Sequence, residues 1–125
     1  MPDEITAYLR ENGYPEHVVR GGRAGLVDKW RKFVEEVENG YGAQIEDYWN
    51  DLDVRGILRQ AGAEDEEVLA LDERLKRLLA PAKKRVWESA PGEPFWDFGY
   101  PRNASGDLRR GLMEQGLISD QPMEP

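Results

Sequence analysis

The chain has 125 residues, no cysteine, 39% hydrophobic side chains and a formal charge of −8. A length of this order suits one domain that buries a core without metal or disulfide staples. The lack of cysteine excludes a disulfide framework, a thiolate nucleophile and a thiolate metal site.

Pro2-Asp3-Glu4 puts acids at the start of a first helix, where the helix dipole favours them. Ile5, Tyr8 and Leu9 form its apolar face and Gly13 is its stop. Pro15 suits the first position of a short helix through Val18 and Val19, ended by Gly21-Gly22. Leu26, Trp30, Phe33, Val34 and Val37 then make one apolar stripe of helical period, predicting a long helix from about Ala24 to Glu38. Asn39-Gly40 supplies its left-handed C-terminal signal. Ile45, Tyr48, Trp49 and Leu52 repeat the stripe on a helix from about Ala43 to Gln60. Asn50 or Asp51 is placed to interrupt that helix by capping a new one through Val54, Ile57 and Leu58.

Ala61-Gly62-Ala63 reads as a turn. Glu64 to Glu67 then opens what reads as the longest helix, with Val68, Leu71, Leu75, Leu78, Leu79, Ala82 and Val86 three or four apart. Pro81 falls inside this pattern and should kink or split it near Leu79. Residues 88–106 lose the helical period and gather prolines, glycines and aromatic rings, predicting an ordered loop with a short extended segment. Asp107 is expected to cap a last short helix bearing Leu108, Leu112 and Met113. The fold class expected is all-α: a compact bundle of five or six helices over residues 1–117, with 118–125 a disordered tail.

The charge is unevenly placed. From Glu35 to Glu67 there are eleven acids against two bases, a local −9 that leaves the rest of the chain at +1. From Arg74 to Arg85 the sign reverses, with Arg74, Lys76, Arg77, Lys83, Lys84 and Arg85 and no acid. A globally acidic chain repels nucleic acid and favours a protein with a basic surface. On a single helix with acids first and bases last, the basic run is explained by the macrodipole. The longest apolar run, Leu78 to Ala82, falls far short of the ~20 residues that span a bilayer, and MPDEITAYLRENG has no basic n-region or apolar h-region. A cytoplasmic protein without membrane association is expected.

No complete chemical motif is present. His17 has only Glu16 as a local carboxylate, so a structural or solvated histidine is the simpler reading. Asp51-Leu52-Asp53-Val54-Arg55-Gly56 begins like a calcium loop, but Arg55 stands at its fifth position and Gly62 where the bidentate glutamate belongs. Glu35, Glu38, Glu46 and Asp47 are the candidates for a non-standard hard-cation site, with no cofactor expected. Arg20 to Gly25 leads into a helix N-terminus, yet lacks the preceding strand and Gly-Lys-Ser/Thr of a phosphate loop; helix punctuation explains its glycines. Pro94 to Arg102 has the most unusual composition. Its rings either pack inward over the core or, with arginine, anchor a partner.

The run GYPEHVV-RGG-GL-W-FV-VE-GY-DYWNDLD-R-L between Gly13 and Leu58 resembles a family of small bacterial helical proteins of unknown function. The resemblance implies a stand-alone helical domain and carries over no activity and no catalytic residue. Two functional expectations follow from the residues themselves. The first is a non-enzymatic interaction protein presenting an acidic helical face to a basic partner, an immunity protein or antitoxin over a nuclease being one concrete form. Its binding residues would be Glu46, Asp47, Asp51 and Asp53, with Trp96, Phe98, Tyr100 and Arg102. The alternative is a small metal-dependent or acid–base enzyme using carboxylates of the central helix pair. The absence of a nucleophile–base constellation leans against an enzyme.

Overall fold

A computed structural model describes residues 4–118, in the order α1 (Glu4–Glu11), α2 (Glu16–Asn39), α3 (Ile45–Gln60), α4 (Glu66–Leu78), β1 (Leu79–Pro81), a 3-10 turn (Phe95–Phe98), β2 (Gly99–Pro101) and α5 (Gly106–Glu114). The molecule is mostly helical with one small sheet. Pro2, Asp3 and all of the expected tail but Ile118 lie outside the described residues.

Helix α2 is central, packing against α1, α3 and α4, while α5 packs on α3. Its apolar stripe is wholly buried, as the period requires: Leu26, Trp30, Phe33, Val34 and Val37 all face the core. The two helices expected on either side of Gly21-Gly22 are both present within the α2 span, which is broken by a non-helical backbone at Gly22. There φ is 58° and ψ is −151°, a backbone that glycine adopts without strain. Helix α3 passes through Asn50 and Asp51 without a break, so neither residue caps. Gln44 is its N-cap, in a reciprocal box with Asp47.

The fourth helix is shorter than its hydrophobic spacing suggests. Asp65 caps it by accepting from Val68 N at 3.1 Å, and it ends at Leu78. A helical Pro81 would remove a hydrogen bond and clash with the preceding turn, so the chain leaves the helix before it and becomes extended. Leu79 to Pro81 then pairs antiparallel with Gly99 to Pro101, in the register Leu79↔Pro101, Ala80↔Tyr100 and Pro81↔Gly99. The apolar period running on to Val86 is therefore not one helix, and the longest helix is α2. The basic run divides with it: Arg74, Lys76 and Arg77 lie on α4, whereas Lys83, Lys84 and Arg85 follow β1. At α5 the N-cap is Ser105 rather than Asp107, which sits in the first turn and pairs with Arg110.

An aromatic cluster fills the core. Trp30 stacks on Phe33 with ring centroids 4.9 Å apart, and Phe33 meets Tyr41 and Tyr48 at 5.7 and 5.6 Å. Trp96, from the 3-10 turn, sets its ring edgewise to Trp30 at 6.4 Å. The Tyr48 hydroxyl donates to Gly99 O at 3.1 Å, tying α3 to β2.

Candidate functional site

Two buried polar knots hold the helices to the aromatic segment. In the first, Asp72 of α4 accepts from Trp30 Nε1 and Arg55 Nε, both at 3.0 Å, and from Arg55 Nη2 at 2.7 Å. Arg55 is only 1% exposed. Its Nη2 also donates to Glu64 at 2.6 Å, and its guanidinium carbon lies 4.1 Å from the centre of the Trp96 ring. A buried guanidinium is tolerable only with such partners, because an unpaired charge in a dry interior is costly. Burial works against ionising Glu64, but bonds from Arg55 and Arg59 hold its carboxyl below the ordinary value.

The second knot centres on Asp97, which is fully buried. It accepts from Arg85 Nη2 at 2.8 Å, Ser89 Oγ at 2.9 Å and Ser89 N at 3.1 Å. Ser89 Oγ in turn accepts from Trp96 Nε1 at 2.8 Å. A serine beside an aspartate is the start of a nucleophile constellation, but this hydroxyl is buried and its proton is given to the carboxylate. The arrangement is a structural clamp.

The residues singled out from the sequence separate into four groups. Trp96 is a core side chain at 1% exposure, whereas Phe98 and Tyr100 are half-buried and Arg102 is exposed. Asp53 faces the Trp49–Trp87 stack, whose centroids are 4.7 Å apart, and accepts from Trp87 Nε1 at 2.7 Å. Burial raises the Asp53 carboxyl above its ordinary value, while the Trp87 bond partly offsets it. Glu46 and Asp47 are exposed in the first turn of α3, where Asp47 accepts from Gln44 N at 3.2 Å.

Asp51, the fourth, sits among other acids. Asp51 accepts from the Tyr41 hydroxyl at 2.7 Å, and Glu36 of α2 and Asp47 of α3 lie close enough to perturb both groups. Lys29 is the cation in the same field. Burial first, then the neighbouring carboxylates Glu36 and Asp47, push Asp51 up to about 6, while its bond from Tyr41 and the Lys29 charge pull the other way. Burial and Asp51 raise the Tyr41 hydroxyl above its ordinary value.

This raised carboxyl has a definite consequence for stability. Folding favours the protonated Asp51, so its contribution is fully present below pH 3.8 and is lost as pH rises through about 6. Two units would be worth roughly 3 kcal/mol, and partial exposure brings this to about 1–2 kcal/mol. Asp51→Asn, which keeps an acceptor for Tyr41, is expected to be more stable than the parent above pH 6 by that amount and equal to it near pH 4. Urea denaturation at both pH values measures the difference. An equal gap at the two pH values would rule out titration of Asp51 as its source.

No family model, curated protein or solved structure matches the chain.

Three further acids of the 35–67 stretch are paired with arginines. Glu38 is gripped by Arg74 through two bonds of 3.1 and 2.7 Å, which hold its carboxyl below the ordinary value. Arg31 pairs with Glu67, and Arg23 with Asp65. Of the proposed cation ligands, Glu38 is thus committed to Arg74 and Asp47 to its cap. Among the described residues no group of three His, Cys, Asp or Glu side chains is disposed to hold a metal ion. His17 is exposed on the first turn of α2. No helix among the described residues is long and apolar enough to cross a membrane.

Sequence reasoning did not find Arg55, Asp72 or Tyr41. The signal for the first was slight: a lone arginine among Val54, Ile57 and Leu58 on an apolar helix face. Asp72 stands at i,i+4 spacing from Lys76 on α4, the pattern of a surface pair, and it turns inward instead.

Proposed function

We propose that residues 4–118 form a non-enzymatic interaction domain whose acidic α2–α3 face receives a protein with a basic surface. The observation that carries this reading is the meeting of Glu36, Asp47 and Asp51 around Tyr41, with Lys29 as the cation nearby. By contrast, the nearby acids Glu38, Glu64, Asp65 and Glu67 are each matched by an arginine of their own chain. A cluster that its own fold leaves under-neutralised attracts external cations, and a partner's Lys or Arg side chains would relieve the repulsion. Covering a basic enzyme such as a nuclease, as an immunity protein or antitoxin does, is the concrete form. The paired state of Glu38 and Asp47 gives the metal-dependent alternative no corresponding support.

The test is capture from a native lysate on the immobilised chain, with Glu36→Gln/Asp51→Asn in parallel. A basic protein should be retained at low salt, released as ionic strength rises, and held at least tenfold less well by the variant. Retention of no basic protein, or equal retention by the two chains, would sink the proposal.

A further inference from the structure

A cleft of about 310 Å³ opens between the C-terminal half of α3, the outer face of α4 and the 3-10 turn. It is separate from the acidic α2–α3 face, and its chemistry is of the opposite kind. The rings of Phe95 and Trp96 line it together with Leu69, which at 49% exposure is the exposed large hydrophobic side chain among the described residues. Arg59 and Lys76 also line it, each beside a ring: the Arg59 guanidinium carbon is 5.0 Å from the Trp96 centroid, and Lys76 Nζ is 5.0 Å from that of Phe95.

The formal charges of the lining residues balance, but their hydrogen-bonding capacity does not. Asp72 is consumed by Trp30 and Arg55, and Glu64 by Arg55 and Arg59. Arg59 donates only through Nε, at 3.1 Å, so both of its terminal amines are without a hydrogen bond among the described residues. Lys76 reaches only Glu73, the third lining carboxylate, at a loose 3.4 Å, which leaves two of the ammonium's three protons to spare. Arg55 Nη1 is buried and unpartnered. Donors in surplus beside an apolar wall are the complement of an acceptor joined to an apolar body.

We propose that this cleft binds a small aromatic monocarboxylic acid. The ring of the acid would lie along Leu69 and Phe95, and its carboxylate would take the free amines of Arg59 and the ammonium of Lys76. Charge-assisted bonds to a planar guanidinium favour a carboxylate over a neutral amide. The volume is at the lower end of what ligand sites occupy, which fits a single ring with a short acidic arm and not a peptide.

Phenylacetate titrated into the 15N-labelled protein tests this, with phenylacetamide and a tetrapeptide ending in phenylalanine as comparison ligands. Phenylacetate is expected to shift the Trp96 indole and Arg59 Nε–H resonances saturably in the millimolar range. Arg59→Ala and Lys76→Ala, both exposed positions, should each weaken binding at least fivefold while the remaining amide spectrum is kept. Absence of a saturable shift, equal binding of the amide, or affinity unchanged in both variants would overturn the proposal. Tighter binding of the tetrapeptide than of phenylacetate would overturn the assignment to a small molecule.

Discussion

Replacing Asp72 with asparagine is expected to destabilise the fold by about 3 kcal/mol, a large part of the ~5–15 kcal/mol that holds a domain together. Asparagine can accept from Trp30 or from Arg55 Nε, but its amide then meets Arg55 Nη2 donor to donor, and the guanidinium loses its closest counter-charge. Glu64 still touches Arg55, which keeps the cost at the lower end of the range for a broken buried pair. The companion substitution makes the interpretation specific. Arg55→Met alone should also be costly, because it leaves Asp72 buried with only the Trp30 indole. Combined, the two should cost at least ~1 kcal/mol less than the sum of the singles, since neither charge is then stranded. Urea denaturation followed by tryptophan fluorescence gives all three values. Additive losses would show that Asp72 and Arg55 are not energetically coupled.

The second expected effect is a reversal of sign between two helical glycines. Alanine in a helix interior is favoured over glycine by roughly 0.8–1 kcal/mol. At Gly25, in the first turn after the break at Gly22, an added methyl group meets nothing within 4 Å, so Gly25→Ala should stabilise by no more than about that amount. At Gly56 of α3 the same methyl would collide with the Ser89 carbonyl oxygen, and the carbonyl carbon stands only 2.7 Å away. Ser89 cannot retreat freely, because its amide and hydroxyl are bound to Asp97 and its carbonyl accepts from Gln60 at 3.2 Å. Gly56→Ala should therefore cost on the order of 3 kcal/mol through overpacking. Two thermal melts decide the matter, the Gly25 variant rising by a few degrees and the Gly56 variant falling by about 10 °C or more. A neutral Gly56→Ala would mean that α3 and the Ser89 segment separate easily.

The helical stripes were the legible part of the sequence, because burial on one face of a helix imprints a local period. Leu26 to Val37 and Ile45 to Leu52 were readable on that ground, and all of their stripe residues but the partly buried Trp49 are buried as the spacing requires. The end of α4 was not, since Leu79, Ala82 and Val86 continue a helical spacing by coincidence while the backbone obeys Pro81. Pairing of Leu79–Pro81 with Gly99–Pro101 depends on residues twenty positions apart, and no local pattern announces it. The same limit applies to the candidate site. A run of carboxylates is visible as composition, but its division between those bound to Arg23, Arg31, Arg55 and Arg74 and those left around Tyr41 depends on which helix faces which. Trp96, expected among the partner-binding residues, is buried against Trp30 instead, because which ring of the aromatic segment turns inward depends on the helices it meets.

The pairing of β1 with β2 also makes the intervening segment a closed circuit. Beyond the strands, Ala82 N donates to Phe98 O at 2.9 Å and Arg102 N to Leu78 O at 3.0 Å, so the circuit is fastened on both sides of its mouth. The far end, Pro91-Gly92-Glu93, is exposed, and Gly92 turns there with φ of 87°. Lengthening a loop whose ends are already joined adds only a logarithmic entropy. The chain can therefore gain or lose residues at that tip over evolutionary time while the Asp97 clamp and the Trp96 ring keep their positions.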